Sequence, residues 1–164
     1  MTLSFRIRDF FSPRRRVLDE VGIKPGFRVL DYGCGPGGYV SAAAGLVGAP
    51  GVVYTLDKRA PAIQMVKRIA ARKKLQNVKA ICSDRKTGLP DCSIDVVLLY
   101  DTFHALTDPD AVLKELHRVL TEDGIVSFSD HHLKEEQIVS RVTYSGLFRL
   151  LRKGRKTYSF SKVE

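Results

Sequence analysis

Cysteine is scarce in this chain. The 164 residues hold three, Cys34, Cys82 and Cys92, at no spacing that suits a metal cluster or a disulfide framework. No apolar run approaches the roughly 20 residues of a membrane span. Residues 1–11 are broken by Arg6, Arg8 and Asp9, so they lack the apolar core of a signal peptide. The odd cysteine count and the missing signal lead us to expect a cytoplasmic protein with no membrane span. No internal repeat, linker or low-complexity segment interrupts the chain, which reads as one domain over 1–164. No RNA-module signature and no dense Lys/Arg tail is present either.

What is present is an ordinary globular balance, 44% hydrophobic and 27% charged, long enough to bury a sizeable core. The net charge of +9 is uneven. Residues 1–82 hold 15 Lys+Arg against 5 Asp+Glu, a net of +10, and residues 83–164 hold 12 against 13, a net of −1. Such a half can serve nucleic acid, an anionic membrane or an acidic substrate, or can simply be solvated helix faces.

The chain is organised around Val29-Leu30-Asp31-Tyr32-Gly33-Cys34-Gly35-Pro36-Gly37-Gly38-Tyr39. An apolar strand enters a glycine-rich turn and then a helix. Glycine serves where φ is positive or a ligand approaches the backbone, and free N–H groups at the helix start would favour an anionic or polar ligand group. Gly33, Gly35 and Gly38 satisfy the dinucleotide fingerprint. Asp31 argues against that ligand, because a carboxylate beside the loop would repel a pyrophosphate and suits a cation instead.

Four further apolar runs follow: Val52 to Leu56, Val78 to Cys82, Ile94 to Tyr100 and Ile125 to Ser129. Helices are expected from Pro13, capped by Ser12 with Val17, Leu18 and Val21 inward; from Pro61, with Ala62, Met65, Val66 and Ile69 as its core stripe and Asn77 breaking it; from Asp108-Pro109 to Leu120; and from Lys134 to Thr143. The segment 1–24, with Phe5, Phe10 and Phe11, is a lid over a pocket or plain packing. Leu147 to Leu151 and Thr157 to Ser161 flank a glycine-containing turn as an antiparallel hairpin. Five strand–helix alternations plus the hairpin imply an α/β fold: a doubly wound, mostly parallel, seven-stranded sheet with a C-terminal antiparallel hairpin.

In such sheets a ligand lies beyond the strands' carboxyl ends, and Asp31, Asp57, Asp84 and Asp101 all fall there. With those acids in view, the chain from Val17 to Val163 resembles the class I methyltransferases that use S-adenosylmethionine (SAM). The glycine stretch resembles their first motif and Val53 to Asp57 the second, whose acid accepts from both ribose hydroxyls. Ser83-Asp84 resembles the third, whose acid accepts from the adenine amino group, and Asp95 to Leu106 the fourth, which lines the methyl-transfer pocket. Leu116 to Gly124 resembles the segment before the fifth strand, and the hairpin matches the family's reversed last strand. The likeness is greatest to the small-molecule branch, which includes quinone-precursor methyltransferases.

The resemblance implies a Rossmann-like methyltransferase fold, SAM as cofactor, S-adenosylhomocysteine as product and a small-molecule acceptor. It implies cofactor contacts at Asp31, Gly33, Cys34, Gly35, Gly37, Asp57, Asp84 and Tyr100. Lys58 and Arg85 follow two of the acids, as an adenosine wall or as plain surface charge. Methyl transfer is an in-line displacement that depends first on alignment, and needs a base only where the acceptor keeps its proton. His104 is the candidate base, or else packs its loop, and Asp101 lies beside it. Asp130, His131 and His132 end the fifth strand, where His and carboxylate suit several divalent ions; adjacent strand histidines tend to face opposite ways, so no metal is assigned and the alternative stays open. His117 reads as solvated.

The Asp/Asn-Pro-Pro-aromatic tetrad is missing at Leu99 to Phe103, against adenine or glutamine amide methylation, and no Pro-Cys nucleophile stands there for cytosine. Other readings remain open: an RNA or protein methyltransferase using the basic N-terminal half, a non-catalytic SAM-binding subunit, and an NAD-binding domain.

Overall fold

The apolar runs become parallel strands because both their faces are covered. The computed structural model describes residues 13–164. Phe5, Phe10, Phe11 and Ser12, with the first half of the segment read as a lid, lie outside the described residues. In chain order come α1 (Pro13–Asp19), β1 (Arg28–Tyr32), α2 (Val40–Val47), β2 (Val52–Asp57), α3 (Ala60–Lys73), β3 (Val78–Cys82), β4 (Ile94–Tyr100), a 3₁₀ turn (Phe103–Ala105), α4 (Pro109–Val119), β5 (Leu120–Ser129), α5 (Glu135–Thr143), β6 (Phe148–Lys153) and β7 (Tyr158–Lys162).

The sheet order is β3-β2-β1-β4-β5-β7-β6. The first five strands pair in parallel, and β7 pairs antiparallel with both β5 and β6. This is the expected doubly wound sheet with a reversed end. Successive strand residues point to opposite faces, so Leu30, Val97 and Leu99 pack with α4 and α5, while Val29, Val96 and Leu98 pack with α1 and α2. No helix of the described residues is long and apolar enough to cross a membrane.

Five features differ from the sequence reading. The Met65 side chain is exposed, and the inward stripe of α3 runs through Ala62, Ile63 and Val66. That helix stops at Lys73 with left-handed Lys74, and the Asn77 amide instead donates to the carbonyls of Ala44 and Gly48 at the end of α2. Strand β5 begins at Leu120, because Glu122 to Gly124 lie within an irregular pairing with β4 and not in a separate turn. His117 is not merely solvated: its Nε2 lies 2.7 Å from the Val163 carbonyl and its ring meets Phe148 edge-on. Finally, no helix joins β3 to β4, so four of the five parallel strands are followed by one.

The segment between β3 and β4 is tied to α4 instead. Glu115 accepts from the Thr87 amide (2.9 Å) and hydroxyl (2.7 Å) and from Arg118 (2.8 and 2.9 Å), and Arg118 also reaches Asp91. Arg118's hydrogen bonds lower the Glu115 pKa to about 2, against the burial that would raise it. In the unfolded chain the group titrates in its ordinary range, so its stabilisation is complete above that range and is lost as pH falls toward 2. We expect Glu115→Gln to cost about 2 kcal/mol near neutral pH, with the deficit shrinking by about pH 3. Urea midpoints at the two pH values measure this; an equal deficit at both would contradict it.

A second tie joins the chain's two ends. Glu20, just past α1, accepts from the backbone of Lys156 and Thr157 and from the Thr157 hydroxyl, while Arg152 donates to the Glu20 carbonyl.

Candidate functional site

The carboxyl ends of the parallel strands bound a cleft of about 750 Å³, and Asp31, Asp57, Asp84 and Asp101 all line it. Their environments differ. Asp31 is buried, its Oδ2 has no hydrogen-bond partner among the described residues, and its pKa is pushed up to about 7 by burial and then by the charge of Asp57. Burial would raise Asp57 as well, but hydrogen bonds from Arg59 and the Gly35 amide leave it below its ordinary value. Its Oδ2 accepts from Gly35 N at 2.9 Å, and its Oδ1 accepts from Arg59 N at 2.9 Å and Nε at 3.1 Å.

Asp84 presents an exposed carboxylate on a loop steadied by the Tyr32 hydroxyl, which donates to the carbonyls of Asp84 and Arg85. Asp101 has φ of 49°, a conformation uncommon outside glycine, and accepts from the His131 backbone (2.8 Å) and Nδ1 (2.7 Å).

The glycine loop from Gly33 to Gly37 is bonded within the protein, ahead of the helix start, where Val40 N donates to the Gly37 carbonyl. Its N–H groups are not free: Gly33 and Cys34 donate to the Leu56 carbonyl at 2.7 and 2.9 Å, Gly35 to Asp57, and Gly37 to Cys34. The loop therefore offers shape rather than amide donors, which disfavours a phosphate and agrees with the acid at Asp31. At Gly35 a Cβ would meet only Arg59, at 3.8 Å, so this backbone is open to the cleft. Gly37 does not line the cleft; a Cβ there would press on Val66 and Ile69 of α3.

Cys34 lines the cleft with its thiol pushed up to about 12 by burial, so it stays protonated. Lys58, Arg85 and Tyr100 line it too. Arg85 is committed to Asp108, the N-cap of α4, at 3.1 Å. The Tyr100 hydroxyl pairs with Ser127 at 2.7 Å and its ring meets Tyr39.

His104 lies beside the cleft but is not among its lining residues. Its Nδ1 stands 3.0 and 2.9 Å from the two oxygens of Asp130, whose side chain is fully buried. An ionised carboxylate only accepts, so Nδ1 carries a proton toward Asp130, and in the neutral ring the lone pair is then at Nε2. His132 stacks on His104 at 3.9 Å. The two adjacent histidines do diverge, one to Asp101 and one to His104, but from the turn after β5 and not from the strand. His104, Asp130 and His132 bring three metal-type donor atoms within 4.8 Å. Asp130 already accepts the backbone N–H of His104 and His132 as well as the ring, so its lone pairs are spent inside the protein.

Sequence reasoning missed Arg14, Tyr39, Arg59 and Thr102 on the cleft wall. Gly38 was the available signal for Arg14: a Cβ there would stand 2.9 Å from the guanidinium.

A doubly wound sheet with a reversed end strand, and a cleft at its switch point edged by carboxylates, defines the class I SAM-dependent methyltransferase fold. A methyltransferase-domain family model matches residues 23–158, and the chain belongs to that family. It is 33% identical over 125 residues to aklanonic acid methyltransferase DauC of Streptomyces sp. (strain C5), covering 74% of this chain and 56% of that one. It is 31% identical over 114 residues to demethylmenaquinone methyltransferase of Staphylococcus aureus (strain MRSA252), covering 69% and 46%. The chain thus spans about half the length of the curated relatives it matches. A solved SAM-dependent methyltransferase from Aquifex aeolicus superposes with a TM-score of 0.80 at 26% identity, over 96% of this chain and 95% of that one.

Proposed function

We propose that this chain binds SAM and transfers its methyl group to a small molecule. The observation that carries the reading is the orphaned Oδ2 of Asp31. A buried carboxylate oxygen without a donor is costly, and a ligand ammonium removes that cost. The rest of the rim fits the same molecule. Asp84 is an acceptor suited to an exocyclic amine, and Asp57 suits ribose hydroxyls once the exposed Arg59 side chain yields its place on the two oxygens. Gly33, Cys34, Gly35 and Gly37 shape the loop beneath, and Lys58, Arg85 and Tyr100 wall it. The Arg14 guanidinium on the cleft wall is complementary to an α-carboxylate.

When bound, SAM supplies a methyl carbon already activated by a sulfonium. The chain's own part is to hold the donor end at Asp31, exclude water with Tyr39 and Tyr100, and orient the acceptor at the β4–β5 edge. For an acceptor that arrives with its proton, His104 takes it at Nε2 while Asp130 holds the ring, and Asp101 stands at the rim nearby. The names of the relatives, built on aklanonic acid and demethylmenaquinone, support a small-molecule acceptor. Three free cysteines fit a cytoplasmic enzyme.

Calorimetry with S-adenosylhomocysteine and with NAD tests the binding site: the first should bind and the second should not. Labelled SAM incubated with the protein and cell extract should then mark the small-molecule fraction. Absent S-adenosylhomocysteine binding would end the reading, and label confined to RNA or protein would end its acceptor half.

A further inference from the structure

We propose that the flank built from α3 and β3 docks on an anionic lipid surface. Residues 58–83 carry eight lysines and arginines and no aspartate or glutamate. All eight are exposed. Strand β3 is the edge of the sheet and α3 leads into it, so the charge is gathered at one end of the molecule. Arg59 is paired with Asp57; the stretch offers no acid of its own to the others.

Folding alone does not account for this. Arg72 and Lys73 stand in the last turn of α3, where the helix dipole favours cations. Arg59, however, is the N-cap, Lys58 precedes it, and the first turn contains no acid, the reverse of what the dipole favours. Arg68 and Arg72 stand four apart, a like-charge spacing that weakens a helix. The helix keeps these cations at a cost to itself, which an external partner of opposite sign explains.

The partner's class follows from what accompanies the charge. Met65 projects from the cationic face at 47% exposure, and cations around an apolar side chain suit a helix lying at a bilayer surface. Single-stranded nucleic acid is held by stacking on exposed rings. The large hydrophobics exposed among the described residues are Met65, Tyr144, Leu150 and Leu151, and the last three stand at or near the β6 end. Tyr54 lies under the Lys79 ammonium, 5.8 Å away. Lys58 and Arg59 also line the cleft, so a docked surface would lie beside its mouth. That an apolar acceptor enters from the bilayer rests on the methyl-transfer reading; the docking does not, and is measured without it.

The test is co-sedimentation of the full chain with vesicles of phosphatidylcholine alone and with phosphatidylglycerol added, at low and high salt. We expect binding to the anionic vesicles only, weakened by salt. The triple variant Lys67→Gln, Arg68→Gln, Arg72→Gln should bind about a hundredfold more weakly, with its melting temperature kept or slightly raised and its S-adenosylhomocysteine affinity kept. Should the triple variant not fold, Arg68→Gln alone should bind about fivefold more weakly. No binding to anionic vesicles, equal binding to neutral ones, or full binding by a folded variant would overturn the proposal. So would an RNA that displaces the protein from the vesicles at equal phosphate concentration, which would assign the flank to nucleic acid.

Discussion

Asp31→Asn should raise the melting temperature of the ligand-free protein while nearly abolishing its affinity for SAM. The two effects have opposite signs because one carboxylate is a burden without the ligand and a contact with it. In the free protein its pKa is about 7, raised by burial and by Asp57. Between about pH 4 and pH 7 the folded chain therefore holds a proton that the unfolded chain has released. Stability attributable to this group falls as pH rises through that window, and above it the folded state carries the full cost of a buried charge. Asparagine removes the charge and keeps the shape, so stability should rise by a few kcal/mol at most and lose its dependence on pH there. Binding should weaken by about 3 kcal/mol, roughly a hundredfold, since an ammonium would face an amide. In the parent protein, affinity should strengthen as pH climbs toward about 7 and then level off, because binding selects the ionised form. Thermal melts and calorimetry across the pH range measure both effects. A destabilised free variant would refute the account of Asp31 as a charge without a partner, and unchanged affinity would remove it from the site.

How much of this was legible in the sequence depends on the distance over which each signal acts. The strands and their terminal acids were readable because an apolar run and the aspartate after it are neighbours in the chain. Asp31, Asp57, Asp84 and Asp101 needed only the rule that parallel strands end on one edge. The inward face of α3 was misjudged by one residue. Met65 and Val66 are both apolar, but the buried arc runs from Val66 toward Ile63, and Met65 stands about 100° beyond Val66 on the other side, outside that arc. The commitment of the loop amides to Leu56 depends on the pairing of β1 with β2. The contacts between His104 and Asp130, and between Asp101 and His131, depend on how the β4 and β5 ends align, and the irregular pairing near Gly124 hides that register. Glu20 meets Thr157 across 137 residues, and no local pattern announces such a contact. The five expected strand–helix alternations include one after β3; only the structure shows Glu115 and Arg118 anchoring that connection where a helix would otherwise stand.

The second large effect is expected at Gly33, where two independent demands meet. Its φ is 74°, a left-handed conformation that costs an alanine about 1 kcal/mol. A Cβ would also stand 2.9 Å from Thr102 Cβ and closer still to its Oγ1 and Cγ2. Thr102 cannot easily withdraw. Its hydroxyl donates to the Tyr100 carbonyl at 3.0 Å and reaches the Gly33 carbonyl at 3.3 Å, and it sits between left-handed Asp101 and buried Phe103. Gly33→Ala should therefore cost about 3 kcal/mol in stability and displace the loop after β4, weakening SAM binding with it. The two contributions can be separated. In a Thr102→Gly background the overlap disappears and the backbone strain remains, so the same substitution should cost only about 1 kcal/mol. Denaturant midpoints for the four proteins give the coupling directly, expected at about 2 kcal/mol. If the two substitutions prove additive, the close approach of Thr102 is not what requires glycine at position 33, and the loop after β4 is not held by the glycine turn.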